Sequence, residues 1–261
     1  MTLFLHEIKR NKLSLIIWSA VISFMLGVCV IIYPEMSSQM GDISDMFANM
    51  GAFSDAFGMD QLNFGEFMGY FAIECGNNLG LGGSIFAAIL GISALAKEEQ
   101  SRTAEFLLSH PISRTNVLTS KALSILCQIV IMNLSVIVVT LLGTLAIGES
   151  ADIGKLLLLF LANILMQIEI AAITFGISAF LSRGGLGIGI GVAFGFYFIN
   201  IIANLSKDIE FLKYITPFGY TDGGYIVENS VLEWKYLLVG ALFTIAGIAL
   251  SYIKYPKKDI A

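Results

Sequence analysis

Charge is scarce in this sequence. Only 13% of the 261 residues are Asp, Glu, Lys or Arg, whereas 56% are hydrophobic. A soluble domain usually carries about 25% charged and about 45–50% apolar residues, so this chain has too few charges to cover a water-exposed surface. The composition therefore predicts a membrane protein. The formal net charge of −5 argues against nucleic acid as a partner.

Residues for covalent and metal chemistry are also few. The three cysteines lie in apolar runs without a CxxC, which argues against a disulfide framework or a zinc site. His6 and His110 lie outside the apolar runs, and no HExxH occurs, so an intramembrane enzyme is disfavoured. No G-x-x-x-x-G-K-[ST] occurs either, so the chain has no P-loop for ATP phosphates. We expect no catalytic, cofactor-binding or metal site in this chain.

Long apolar runs are what the sequence does have. A helix needs about 20 apolar residues to cross a bilayer, and backbone groups in lipid must pair within their own segment, so such runs are expected to be helices. The sequence predicts an all-α polytopic membrane protein with a single transmembrane domain over residues 1–261. The six predicted spans are Leu13–Tyr33, Gly69–Ala96, Ala122–Ile147, Gly154–Leu181, Gly185–Asn204 and Tyr236–Lys254.

Basic residues predict the orientation of the spans, because cytoplasmic loops are enriched in Lys and Arg. With a cytoplasmic N-terminus, the outer side holds only Lys155, Lys207, Lys213 and Lys235. Both termini are therefore predicted to be cytoplasmic. The basic residues on that side are Lys9, Arg10, Lys12, Lys97, Arg102, Arg114, Lys121, Arg183, Lys254, Lys257 and Lys258.

Three segments outside the spans have a pattern of their own. Residues 1–12 mix apolar and charged side chains as an amphipathic interfacial helix does, although a plain basic flank would look similar. Residues 205–235 are too apolar for a simple loop, and we expect an outer re-entrant segment with two short helices before the last span, broken at "TPFGYTDGG". Residues 97–121 form a charged cytoplasmic loop between the second and third spans.

The middle of the 97–121 loop predicts a short amphipathic helix. Thr103 is placed as its cap, Phe106 to Leu108 give an apolar edge, and Pro111 stops it. Such a helix suits docking to a soluble partner, but a helix that lies on the membrane surface without a partner has the same pattern.

The stretch "RTAEFLLSHPISRTNVLTSK" resembles the cytoplasmic loop of type-2 ABC exporter permeases, whose pattern runs approximately E, G-T-L-E, L-L, a small residue, x-P-x-S-R and a later Lys. Arg102 stands where that family usually has Gly, and Ala104 where it usually has Leu, so the start of the helix departs from the pattern. The positions that match are Glu99, Thr103, Glu105, Leu107, Leu108, Ser109, Pro111, Ser113, Arg114 and Lys121.

The resemblance implies a function for the whole chain. It implies a bacterial cytoplasmic-membrane permease that exports a drug, antimicrobial peptide or lipid, using a separate ABC nucleotide-binding subunit that binds ATP and Mg²⁺. A second copy or a related permease would complete the unit within the lipid. The alternatives are an ATP-independent carrier and a membrane scaffold that docks an ATPase without transport. The residues expected to contact the ATPase through this coupling helix are Glu99, Arg102, Thr103, Glu105, Phe106, Leu107, Leu108 and Arg114.

Polar and small residues inside the spans form two further groups. Glu169 lies near the centre of the fourth span, where an ionisable residue usually faces protein or a water-filled path. It is expected either to pair with Gln128, Asn133 or Gln167, or to line a transport pathway with them. Glycines with another glycine or an alanine four residues away predict close helix packing, within the chain or between two copies. They are Gly76, Gly80, Gly83, Gly91, Gly187, Gly191 and Gly195.

Overall fold

The computed structural model describes residues 2–38, 56, 66–100, 113–182 and 184–258, with the side chains of 2 and 97–100 left undescribed. Within these ranges, six helices are long and apolar enough to cross a membrane, and no strand occurs. The all-α class and the six spans are thereby confirmed. The predicted orientation stays a prediction, and "inner" and "outer" below follow it.

The spans follow the predicted apolar runs, with differences at their ends. The first span begins eleven residues before the predicted Leu13, because it includes the N-terminal segment, and the third span begins eight residues before the predicted Ala122. Its inner turns are too polar for a hydropathy pattern to detect, but Ser113 caps them by accepting a hydrogen bond from the Asn116 amide at 3.2 Å. The spans are Thr2–Ser38, Phe67–Gln100, Arg114–Ile147, Ile153–Ser178, Leu186–Asn204 and Trp234–Lys254.

The N-terminal segment 1–12 is helical from Thr2, but it is continuous with the first span rather than a separate element. The reason lies at Glu7, which is buried with 3% of its surface exposed. Its carboxylate binds Arg10 at 2.7 Å and Lys121 of the third span at 3.0 Å. These contacts hold the first turns of the helix against the bundle.

The second span contains a segment that the sequence did not predict. Residues Cys75–Leu81 form a π-helix between the α-helices Phe67–Glu74 and Gly82–Gln100. A π-helical turn is an uncommon feature of α-helices and occurs frequently at functional sites. In this span it presents Asn77 and Asn78 at the outer half of the membrane domain.

The bundle is organised around the second and fourth spans. The second span packs along the fourth and the fifth, the fourth also packs on the sixth, and the first packs along the third. The core contains Phe71, Phe86, Phe160 and Phe175, each at most 2% exposed. Large apolar side chains such as Phe24 and Leu145 instead cover the outside of the bundle, which suits contact with lipid.

The outer segment between the fifth and sixth spans has three short helical pieces where two were predicted. They are the 3₁₀-helices Lys207–Tyr214 and Pro217–Tyr220 and the α-helix Gly223–Asn229. The predicted break therefore holds a 3₁₀ turn of its own. That turn is buried among the spans, and the Thr216 hydroxyl before it donates to the Phe196 carbonyl at 2.9 Å.

Candidate functional site

The predicted ATPase-contact residues fall at the junction of the second and third spans. Arg102, Thr103, Glu105 and the apolar edge Phe106–Leu108 lie outside the described residues, so their contacts stay predictions. Glu99 lies in the last turn of the second span, which ends at Gln100. The described part of the loop resumes at Ser113, one residue before the third span begins.

Arg114 lies at the start of the third span and contacts the C-terminal segment of the same chain. Its Nη1 donates to the carbonyl oxygens of Tyr255, Pro256 and Lys258 at 3.3, 3.1 and 2.6 Å. The Lys258 ammonium in turn donates to the Leu181 carbonyl at 2.7 Å. The end of the charged loop is thus linked to the inner ends of the fourth and sixth spans.

The buried amides of the third and fourth spans form a polar seam inside the membrane domain, here defined as Gln128, Asn133, Asn163 and Gln167. Asn133 donates through Nδ2 to the side-chain oxygen of Gln167 at 2.6 Å. Gln128 donates to the Ser124 hydroxyl at 3.0 Å on its own helix. All four side chains are at most 2% exposed, and each keeps one amide atom without a hydrogen-bond partner among the described residues.

Glu169 lies beyond this seam and pairs with none of the amides proposed for it. The Tyr220 hydroxyl, from the buried 3₁₀ turn of the outer segment, donates to its carboxylate at 2.8 Å. Gly240 of the sixth span leaves the space that the carboxylate occupies. Glu169 therefore joins the fourth span, the sixth span and the outer segment.

An outer cavity of about 70 Å³ lies between the π-helical segment, the fifth span and the outer segment. Polar groups from all three line it, including Asn77, Asn200 and Asp222. The Tyr197 hydroxyl donates to the Asn77 amide oxygen at 3.4 Å across it. The walls of this cavity come from residues more than a hundred positions apart along the chain.

The predicted packing glycines divide into two groups. A side chain at Gly80, Gly83 or Gly91 would meet atoms of the fourth span, so these glycines pack within the chain. A Cβ at the remaining four would meet no atom of the described chain within 4 Å. These are Gly76 of the second span and three glycines of the fifth span, Gly187, Gly191 and Gly195.

Comparison with known proteins gives one finding. A family model described as "ABC-2 family transporter protein" matches residues 1–260. No curated protein and no solved structure matches the chain.

Proposed function

Because the chain belongs to the ABC-2 transporter family and is a multi-pass membrane subunit of an ABC transporter, we propose that it is the permease of an ATP-driven exporter. A separate ABC nucleotide-binding subunit hydrolyses the ATP, since no P-loop motif occurs in this sequence. The observation that carries the proposal is the placement of the coupling-helix pattern between the inner ends of the second and third spans, at Gln100 and Arg114.

The coupling path runs from the loop into the spans through Arg114. When the ATPase subunits close on ATP, they displace the 101–112 loop and with it the start of the third span. Arg114 binds three carbonyls of the C-terminal segment, and Lys258 of that segment binds Leu181 after the fourth span. One displacement is thereby shared among the third, fourth and sixth spans.

A second permease copy would pack on the fifth span. Gly187, Gly191 and Gly195 lie at four-residue spacing on one helix face, and no atom of the described chain covers them. Small residues at this spacing allow a second helix to approach closely in lipid. Among the six described spans, the fifth also has the smallest share of its apolar stretch buried within the chain, at 17%.

The exported substrate passes along the polar seam of buried amides. Buried side-chain amides in a membrane domain are costly unless they are paired, and here four amides keep one unpaired atom each among the described residues. Glu169 adds an acidic group at the junction with the outer segment. These features support a polar or amphiphilic substrate rather than a purely apolar one.

Charge reversal at Glu105 tests the docking loop. The tagged chain should be purified from its membrane with the wild-type sequence, with Glu105→Arg, and with the matched control Lys207→Glu on the predicted outer face. We expect an ABC ATPase to copurify with the wild type and the control, and its recovery to fall at least about tenfold with Glu105→Arg. Equal recovery from all three would contradict docking through this loop.

A further inference from the structure

An apolar groove of about 300 Å³ runs along the inner half of the membrane domain, between the third, fourth and sixth spans. It exists because these spans pack on different partners. The third span packs along the first and the sixth packs along the fourth, while the third and the sixth barely contact each other. The groove is separate from the polar seam, none of whose four amides is among the described residues that line it. The proposed function assigns no role to it.

Short side chains form the floor of this groove, and larger apolar side chains form its rim. On the floor, Ala171 and Ala172 of the fourth span are buried. On the rim, Leu123 and Leu126 of the third span and Ile248 of the sixth are exposed. The groove is therefore open at the side of the bundle and continuous with the apolar surface that faces lipid.

The polar side chains among the described residues that line the groove, Thr119 and Tyr252, lie at its inner end. The Thr119 hydroxyl donates to the Thr115 carbonyl at 3.0 Å. Because a hydroxyl has one proton to donate, the Tyr252 hydroxyl donates to Thr119 across the groove at 2.7 Å. Tyrosines are common at the membrane–water interface. The groove thus has a polar end at the predicted inner interface and an apolar body in the hydrocarbon region, which is the layout of a lipid.

Neither water nor a protein helix suits the space in this groove. A cavity lined by apolar side chains stays dry and accepts an apolar guest. One helical turn, about 10 Å across and about 5.4 Å long, takes about 400 Å³, which exceeds the volume of about 300 Å³ that the groove offers. A hydrocarbon chain is thinner than a helix. Packed against Ala171 and Ala172, it would supply the dispersion contacts that an empty groove lacks.

We propose that the groove binds one acyl chain of an inner-leaflet phospholipid. The ester end of the chain lies at Thr119 and Tyr252, and its methyl end points toward Ile129 and Ile168. The bound chain fills the space between the third and sixth spans, beyond the point where Arg114 and Tyr252 join their inner ends. In lipid, where association depends on close packing, the fit of the chain to the groove makes this lipid distinct from its neighbours in the bilayer.

Photo-crosslinking in the full chain identifies what occupies the groove. The protein is placed in phosphatidylcholine nanodiscs that contain a small fraction of the same lipid with a diazirine in the middle of one acyl chain, and peptide mass spectrometry locates the label. We expect Leu126 and Ile129 to be labelled at least about fivefold more than Leu134 and Leu142, which are exposed positions of the same span outside the groove. An even distribution of label over these positions would overturn the proposal.

A matched pair of substitutions tests whether the chain enters the groove. Ala122→Phe places a ring in the groove, whereas Ala246→Phe places the same ring on an exposed face of the sixth span outside it. We expect groove labelling to fall at least about fivefold with Ala122→Phe, because the ring takes the space of the lipid chain, and to stay unchanged with Ala246→Phe. Ala122→Leu replaces the larger variant if that variant does not fold.

Equal groove labelling in the wild type and both variants would overturn the proposal. Cross-linking of two permease chains through a photoreactive side chain at Leu126, without lipid label in the groove, would identify a second copy as the occupant and would also overturn it. None of these measurements needs the ATPase or transport, so their failure would leave the exporter assignment standing.

Discussion

Two glycine-rich stretches of this chain share a spacing but not an environment. In the second span, Gly83 and Gly91 lie against the fourth span, close to Gln167 and to the backbone around Thr174. In the fifth span, no atom of the described residues lies within 4 Å of the position that a Cβ would take at Gly187 or Gly191. Small residues at every fourth position therefore indicate that another helix can approach closely, but they do not indicate which helix does so.

The difference comes from the residues opposite each stretch. The fourth span brings Thr174 and Gln167 to the second span, and the Thr174 hydroxyl bonds the Ile170 and Ala171 carbonyls of its own helix at 2.8 and 3.1 Å. The backbone of the fourth span and the Thr174 hydroxyl therefore lie directly against Gly91, where no side chain would fit. The face of the fifth span that carries Gly187, Gly191 and Gly195 has no such partner among the described residues, which leaves this face for a second copy under the proposed function.

Gly91→Ala should have the largest effect on stability. The new methyl group would meet the Ala171 carbonyl oxygen and the Phe175 amide, which are backbone atoms that cannot move aside. We expect the free energy of unfolding to fall by about 2–3 kcal/mol, as for overpacked cores. Thermal unfolding in detergent measures this loss of stability. Gly187→Ala is the control, because its methyl group would contact no described residue. Equal unfolding midpoints for the two variants would contradict the difference in packing between the second and fifth spans.

Gly83→Ala should cost less, about 1 kcal/mol, because its new methyl group meets the flexible end of the Gln167 side chain rather than backbone. Displacing Gln167 strains its 2.6 Å hydrogen bond with Asn133. In a Gln167→Ala background the cost of Gly83→Ala should therefore disappear. A cost that persists in the double variant would place the strain elsewhere in the span.

Gly191→Ala should have the smallest effect on the single chain and the opposite sign. Since no atom of the described residues would contact the new methyl group within 4 Å, the alanine should stabilise the helix by about 0.5–1 kcal/mol. The bulkier Gly191→Leu should weaken association between two copies without unfolding either one. Cross-linking in the native membrane measures that association. Undiminished dimer with Gly191→Leu would exclude the fifth span as the contact between copies.

The apolar runs predicted the fold, because lipid leaves a backbone little choice except a helix. The start of the third span was missed, since Arg114 and Lys121 make its inner turns polar, although Ser113 gave a cap signal. The pairing of Glu169 with Tyr220 could not be predicted, because 51 residues separate them along the chain. The same holds for Glu7 and Lys121, which lie 114 residues apart.

Native mass spectrometry of the complex extracted from its own membrane tests the central claim most directly. The account predicts a particle with two permease chains and two copies of an ABC ATPase. The permease chains are either two copies of this 28.3 kDa chain or one copy and a related permease. With Glu105→Arg, the particle should lose the ATPase but keep the permease pair. A folded chain that is extracted alone, without an ATPase and without a second permease, would contradict it.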